Sequence, residues 1–312
     1  MSAMPLGLGL ATSHAPSMFA KAEDWPKLHQ VLTPGVPQPP ALQLETGEVL
    51  AGYVDRIQRN FATLRAQLEA YQPDALIIVG DDQTEVFSKA FVPAFALFVG
   101  EEVAGTTNLG LLGQPLDQGH ITLKCDAELS RSLLASLVAR GFDFAYLEEL
   151  CPMGRPAAGL GHAFMRPSNV LGVAERHIPT VIMFVNAYHP PLPSAKRCLE
   201  LGQALSEILA SRPERIAILG SGGLSHDPRG PRAGWIDEPL DHWFLDRLAD
   251  ADLPPLEHLF GFESATLSGG TGEIRSWLAV AGAFAGVRAK VVDYIPAYHS
   301  VTGLAFAYWQ PA

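Results

Sequence analysis

The chain has 312 residues, 48% of them hydrophobic and 18% charged, with a formal charge of −11. That balance suits a globular protein with a large core and excludes a disordered chain. It offers no basic stripe to neutralise phosphates, which excludes a nucleic-acid surface; a small anionic ligand needs only local positive charge.

The three cysteines, Cys125, Cys151 and Cys198, form neither a C-x-x-C pair nor an even framework, which suits a reducing compartment. The N-terminal MSAMPLGLGLATSH lacks a basic leader pattern, and no apolar run reaches membrane-spanning length. Both features predict a cytoplasmic protein with no membrane partner.

Met4–Thr12 is apolar and alternating, and predicts a strand ending at Ser13-His14-Ala15-Pro16. Residues Glu23–Pro40, rich in proline, predict an irregular surface excursion. Leu50–Tyr71 places Tyr53, Ile57, Phe61, Leu64 and Leu68 on one side of a long helix. The buried-strand pattern Ala75–Gly80 follows and ends in Asp81-Asp82-Gln83-Thr84-Glu85. Val92–Val99 predicts another strand, Gly100–His120 loops with a hairpin, and Asp126–Arg140 a helix. Leu147–Pro167 is a Gly- and Pro-rich stretch containing Gly161-His162.

Thr180–Asn186 predicts a strand followed by Tyr188-His189-Pro190-Pro191, and Ala195–Ala210 a helix. Ile216–Leu219 is a short buried strand that runs into Gly220-Ser221-Gly222-Gly223 and delivers Ser225 and His226 to a sheet edge, where open α/β folds build sites. Trp243–Ala249 and Glu273–Phe284 predict helices, and Lys290–Ile295 and Leu304–Trp309 closing strands. Strands alternating with long helices, without an internal repeat or linker, predict a single α/β domain over residues 1–312, with a mixed central sheet flanked by helices.

Polar residues follow the strand patterns at His14, at Gln83 with its flanking acids, and at His226. Glu273 opens a helix after a Gly-rich loop, where a carboxylate also complements the helix dipole. Singly, a histidine is more often structural than a ligand. Together, histidines and one glutamate on site-forming edges, with no thiolate among them, point to a mononuclear metal bound by N and O donors, and mixed imidazole–carboxylate ligation points to non-haem Fe(II).

TSHAPSM at 12–18, IIVGDDQTEVF at 77–87, VNAYHPPLPSAKRCLELGQAL at 185–205, GSGGLSHDP at 220–228, GGTGEIRSWLAVAGA at 269–283 and VTGLAFAYW at 301–309 together resemble class III extradiol ring-cleavage dioxygenases. This is the family of the protocatechuate 4,5-dioxygenase catalytic subunit and of gallate and 3-O-methylgallate dioxygenases. The resemblance implies Fe(II), O2 and a catecholic or galloyl-type diol as partners, cleaved to an open-chain product. It implies a homo-oligomer such as a dimer, since the small helical subunit of some relatives is not fused here. His14 and Glu273 match iron ligands, His226 the acid/base histidine, and His120 a substrate-pocket histidine.

Where the family carries a second iron-binding histidine, this chain has Gln83. Gln83 is therefore the expected third ligand, with Asp82 or Glu85 as alternatives. A loop histidine, His162 or His189, is a further source, and loss of the metal site another outcome. Strand alternation places Asp81 and Gln83 on one face and Asp82 on the other. Tyr188, Tyr298 and His299, with His162 and His189, are candidate pocket residues, and each serves equally as a packed loop residue. The rival functions are a non-catalytic binding or scaffold protein and a zinc-dependent hydrolase.

Overall fold

A computed structural model describes residues 6–311. The strands are β1 (Leu6–Thr12), β2 (Ala75–Gly80), β3 (Phe95–Phe98), β4 (Glu102–Thr106), β5 (His120–Lys124), β6 (Phe144–Leu147), β7 (Thr180–Val185), β8 (Ile216–Ser221), β9 (Lys290–Ala297) and β10 (Thr302–Trp309). The helices are α1 (Trp25–Leu32), α2 (Gly47–Tyr71), α3 (Ala127–Ala139), α4 (His162–Val170), α5 (Ala195–Leu209), α6 (Glu238–Asp250) and α7 (Ile274–Ala283). Eight strands form one mixed sheet in the order β6-β3-β7-β2-β8-β1-β10-β9, and β4 pairs with β5 in a separate hairpin.

The central strands β2, β7 and β8 are buried along their whole length, which explains their unbroken apolar sequences. Alternate residues of β2 enter opposite layers. Ile77 and Val79 pack with Leu129, Leu205 and Trp277 on one face, and Leu76 and Ile78 pack with Phe61, Leu64 and Phe164 on the other. The result is a sheet between two helical layers. Side chains that accept from the first helical turn cap α3 (Asp126 from Leu129 N, 2.9 Å), α5 (Ser194 from Arg197 N, 3.1 Å) and α6 (Asp237 from Leu240 N, 3.1 Å).

Two arrangements position the site. β1, β8 and β2 are adjacent and parallel, and their C-terminal ends lie in register, Thr12 beside Ser221 and Gly80 beside Ser221. Residues just past these ends therefore meet within about two strand spacings of roughly 4.8 Å each. Secondly, every residue of α7 is buried, and its backbone lies against that of α5. A Cβ at Gly202 would stand 2.0 Å from Ala279 O, and one at Gly282 would stand 2.1 Å from Leu199 O. Only glycine permits that approach, and the segment leading into α7 is anchored by it.

Three local readings differ from the structure. The Glu23–Pro40 segment contains α1, because Trp25 and Leu28 bury one helical face completely. The Gly- and Pro-rich Leu147–Pro167 stretch contains the start of α4, whose Ala163, Phe164 and Met165 are buried. The strand β6 pairs in parallel with β3 and is only partly buried, so its apolar signal is short. The predicted start of the first strand at Met4 lies outside the described residues. No helix among the described residues is long and apolar enough to cross a membrane.

Candidate active site

His14 lies two residues beyond β1, Asp81 one beyond β2, and Gly223 two beyond β8. Glu273 ends the short 3-10 turn Gly269–Glu273 and leads directly into α7. His14, Asp81 and Glu273 are all at least 98% buried. His14 Nε2 stands 3.6 Å from Asp81 Oδ1 and 3.4 Å from Glu273 Oε2, and one donor atom from each residue falls within 4.8 Å of the other two.

The hydrogen bonds set the imidazole's tautomer. Ser221 Oγ has one proton and donates it to Ala163 O at 2.5 Å. Towards His14 Nδ1, at 2.9 Å, it therefore accepts. Nδ1 carries the ring proton, and Nε2 directs its lone pair at two carboxylates. Neither Nε2 nor either oxygen of Asp81 has a hydrogen-bond partner among the described residues.

Buried polar atoms without partners are costly. Burial, followed by the charges of Glu273, Glu85 and Asp82, holds the Asp81 carboxyl well above its usual range. A divalent cation relieves both conditions. Donor atoms bound to one metal at about 2.0–2.2 Å sit roughly 3–4 Å apart, and His14 Nε2 stands at such a distance from both carboxylates. The donor set of one imidazole and two carboxylates suits iron or zinc, and the Ser221 contact is the outer hydrogen bond that metal-binding histidines require.

Glu273 is the most heavily bonded group in the site. Its Oε1 accepts from Gln83 Nε2 at 2.9 Å, from His226 Nε2 at 3.2 Å and from Tyr188 OH, and its Oε2 accepts from Gly223 N at 2.6 Å. Burial alone raises its carboxyl, but the charge and hydrogen bond of His226 act against burial, and the carboxyl lies well below the usual range. One lone pair of Oε2 remains on the side of His14 and Asp81.

The other acids in the β2 loop have different partners. Asp82 accepts from the backbone N–H groups of Glu85, Val86 and Phe87, which closes the loop. Glu85 Oε1 binds His162 Nδ1 at 2.5 Å, and Arg155 lies 3.9 Å from the same oxygen. Burial opposes that charge, but His162, with the Arg155 and Arg166 charges behind it, overcomes it and pulls the Glu85 carboxyl down to about 2. The predicted alternation is visible here: Asp81 and Gln83 both reach the Glu273 neighbourhood, while Asp82 turns back into its own loop.

The two site histidines are tuned in opposite directions. Burial lowers His162 more than Glu85 raises it, so its neutral form is favoured. Its ring stands edge-on to His14 with centroids 4.8 Å apart. For His226 the Glu273 charge and hydrogen bond outweigh burial, so the imidazolium is favoured. Its Nδ1 is held by Leu224 O at 2.7 Å. Gly270 lets the ring sit there, since a Cβ at that position would lie 2.2 Å from Nε2. Opposed shifts of this kind separate an acid from a base.

These groups open onto a cavity of about 510 Å³, lined by His14, Gln83, Glu85, His162, His226 and Glu273, with Leu32, Leu111, Leu116 and Leu160 as apolar wall. Its size and mixed lining suit a small organic ligand. The remaining candidates lie elsewhere. Tyr188 reaches Glu273 but does not line the cavity. His120 opens β5, exposed, with Nε2 3.0 Å from the carbonyls of Leu116 and Ala157. His189 belongs to a turn closed by Asn186. Tyr298 and His299 are tied to Glu238 and Glu45.

Asp81 is not among the residues that the sequence motifs mark, although its place on the Gln83 face is the available signal. Nor are Arg155 and Arg166 in the cavity wall, because the surrounding stretch reads as loop. The spacing HAFMR, which sets His162 and Arg166 four residues apart on one helical face, was the signal there.

Known proteins resemble this chain in sequence and in fold. The chain is 36% identical over 186 residues to gallate dioxygenase of Pseudomonas putida, covering 57% of this chain and 51% of that protein. It is 29% identical over 189 residues to 2,3-dihydroxyphenylpropionate/2,3-dihydroxicinnamic acid 1,2-dioxygenase of Photorhabdus laumondii, covering 61% of this chain and 54% of that protein. The matched segment thus spans about half the length of these curated relatives. A crystal structure of the uncharacterized protein JW3007 from Escherichia coli K12 shares the fold, with a TM-score of 0.50 at 15% identity over 96% of this chain and 99% of that one. Residues 9–306 match the family model described as the catalytic LigB subunit of aromatic ring-opening dioxygenase. The chain belongs to that family.

Proposed function

We propose that this protein is an Fe(II)-dependent extradiol dioxygenase that opens a catecholic or galloyl-type ring with O2, as part of aromatic-compound breakdown. The observation that carries the reading is the convergence of His14 Nε2 and the Asp81 oxygens, none with a hydrogen-bond partner among the described residues, with Glu273 Oε2, beside a cavity that His14 and Glu273 line. His14, Asp81 and Glu273 would hold Fe(II) there, and the metal would supply binding positions for a chelating diol and a redox path between the ring and O2.

The chain's own groups handle the protons. His162, with Nδ1 donating to Glu85, offers Nε2 as an acceptor for a phenolic proton. His226 holds a proton at Nε2 against Glu273 Oε1 and is placed to deliver it as the O–O bond breaks. Tyr188 and Gln83 fix the orientation of Glu273. The leucine wall keeps water from the reacting atoms. Atoms balance without another reductant: one diol and one O2 give one ring-opened acid carrying both oxygen atoms.

Oxygen uptake tests this. Fe(II)-loaded protein supplied with 3,4-dihydroxybenzoate, gallate and 3-(2,3-dihydroxyphenyl)propanoate should consume one O2 per ring opened, and label from 18O2 should enter the product twice. Protein with iron bound but no oxygen uptake on any diol of a broad panel contradicts the proposal. Turnover that persists without O2 would favour a hydrolase.

A further inference from the structure

Arg166 occupies the cavity wall one helical turn after His162, on the same face of α4. It is 8% exposed. Its guanidinium makes a single hydrogen bond among the described residues, from Nη2 to Asn108 O at 3.2 Å, and its Nε has no partner. No carboxylate of the described residues lies within ion-pair distance. Glu85, the acid that influences it most, is bound to His162. Burial brings the guanidinium down to about 10, so it remains charged at neutral pH.

A buried guanidinium with several free N–H donors is costly unless an anion meets it. Among the described residues only the more distant Glu85 attracts it, without an ion pair, and the group faces a cavity sized for a small ligand. The rest of that wall has the same polarity. Arg155 and Arg229 also line it, and Arg229 makes no ion pair, so three arginines face one acid, Glu85, apart from the metal-binding carboxylates. That is a local reversal on a chain whose formal charge is −11. One turn of helix separates His162 from Arg166, about 6 Å along the axis. This is roughly the span of a benzene ring with a substituent at each end.

We infer that Arg166 is the specificity-determining residue of this cavity and binds a carboxylate substituent on the aromatic ring, at the end opposite the diol. The inference rests on the dioxygenase reading for the diol, and on the cavity alone for the carboxylate. Arg166 has the planar, multiply donating fork that suits a carboxylate. Arg229, at the exposed rim, contributes long-range attraction.

Anaerobic calorimetry on the Fe(II)-loaded protein tests it, with 3,4-dihydroxybenzoate and its methyl ester as probes. Wild type should bind the carboxylate about 10- to 100-fold tighter than the ester, the range for hydrogen bonds to a charged group. Arg166→Gln should abolish that preference while retaining binding of the ester, and Arg166→Lys should restore part of it. Arg229→Gln should change mainly its salt dependence. A purely structural role for Arg166 would weaken both probes equally.

Equal affinity of wild type for the two probes overturns the inference, whatever the variants do. So does Arg166→Gln with an unchanged melting temperature and an intact preference. Benzoate binding to metal-free protein separates this from the dioxygenase reading. Benzoate bound by wild type and lost in Arg166→Gln, in a protein that never turns over a diol, upholds Arg166 and rejects the reaction. Ring opening without any carboxylate preference does the reverse.

Discussion

Gln83 Nε2 stands 2.9 Å from Glu273 Oε1, so the amide donates to the carboxylate. An imidazole at that position would present a lone pair to a metal; this amide instead holds the Glu273 carboxylate. The unsatisfied oxygens belong to Asp81, two residues earlier on the same face. Gln83→Ala should therefore keep one Fe(II) per chain and weaken its affinity about tenfold, the effect of one hydrogen bond to a charged group. Anaerobic iron titration reads this directly, and complete loss of iron would make Gln83 itself a ligand.

His226 touches Glu273 through Nε2 but is not among the three converging donors. His226→Gln should retain iron and lose about 10²–10⁴-fold in kcat, as for removal of a general acid/base. Iron analysis beside steady-state rates checks both halves. A variant that loses its iron would place His226 among the ligands.

Glu85 ties the β2 loop to α4 through His162. Its folded carboxyl sits at about 2, against an ordinary value of 4.5. A depressed acid contributes stability that is complete above its unfolded pKa and is lost as pH falls through the folded one. The window is therefore pH 5 down to 2. The pH-dependent contribution is on the order of 3 kcal/mol. Urea melts of wild type and Glu85→Gln from pH 7 to pH 3 should show wild type more stable at pH 7 and the gap narrowing below pH 5. A gap that stays constant across that range would show that the Glu85 charge contributes nothing.

Much of the fold was legible because its central strands have no solvated face. ALIIVG and IAIL can only be buried strands, and the helices between them make the α/β order plain. β6 and α1 were not legible. One is short and half-covered, and the other lies among prolines, with its buried face visible only once Trp25 has something to pack against. At the site, His14, His226 and Glu273 follow strand ends or glycines and could be found by position. Asp81 could not be separated from Asp82 by chemistry alone. The three backbone N–H groups that engage Asp82 depend on a loop shape that sequence does not display. His120, Tyr298 and His299 were plausible by residue type, but none of them lines the cavity, and their hydrogen bonds tie them to carbonyls and acids of neighbouring loops.

The central claim is that Asp81, with His14 and Glu273, holds the metal. Anaerobic Fe(II) titration of Asp81→Ala against wild type is its most direct test. Wild type should take up one Fe(II) per chain, and the variant, with an unchanged melting temperature in the metal-free state, should take up none at the same concentration. An Asp81→Ala protein that binds one Fe(II) with wild-type affinity would contradict the account.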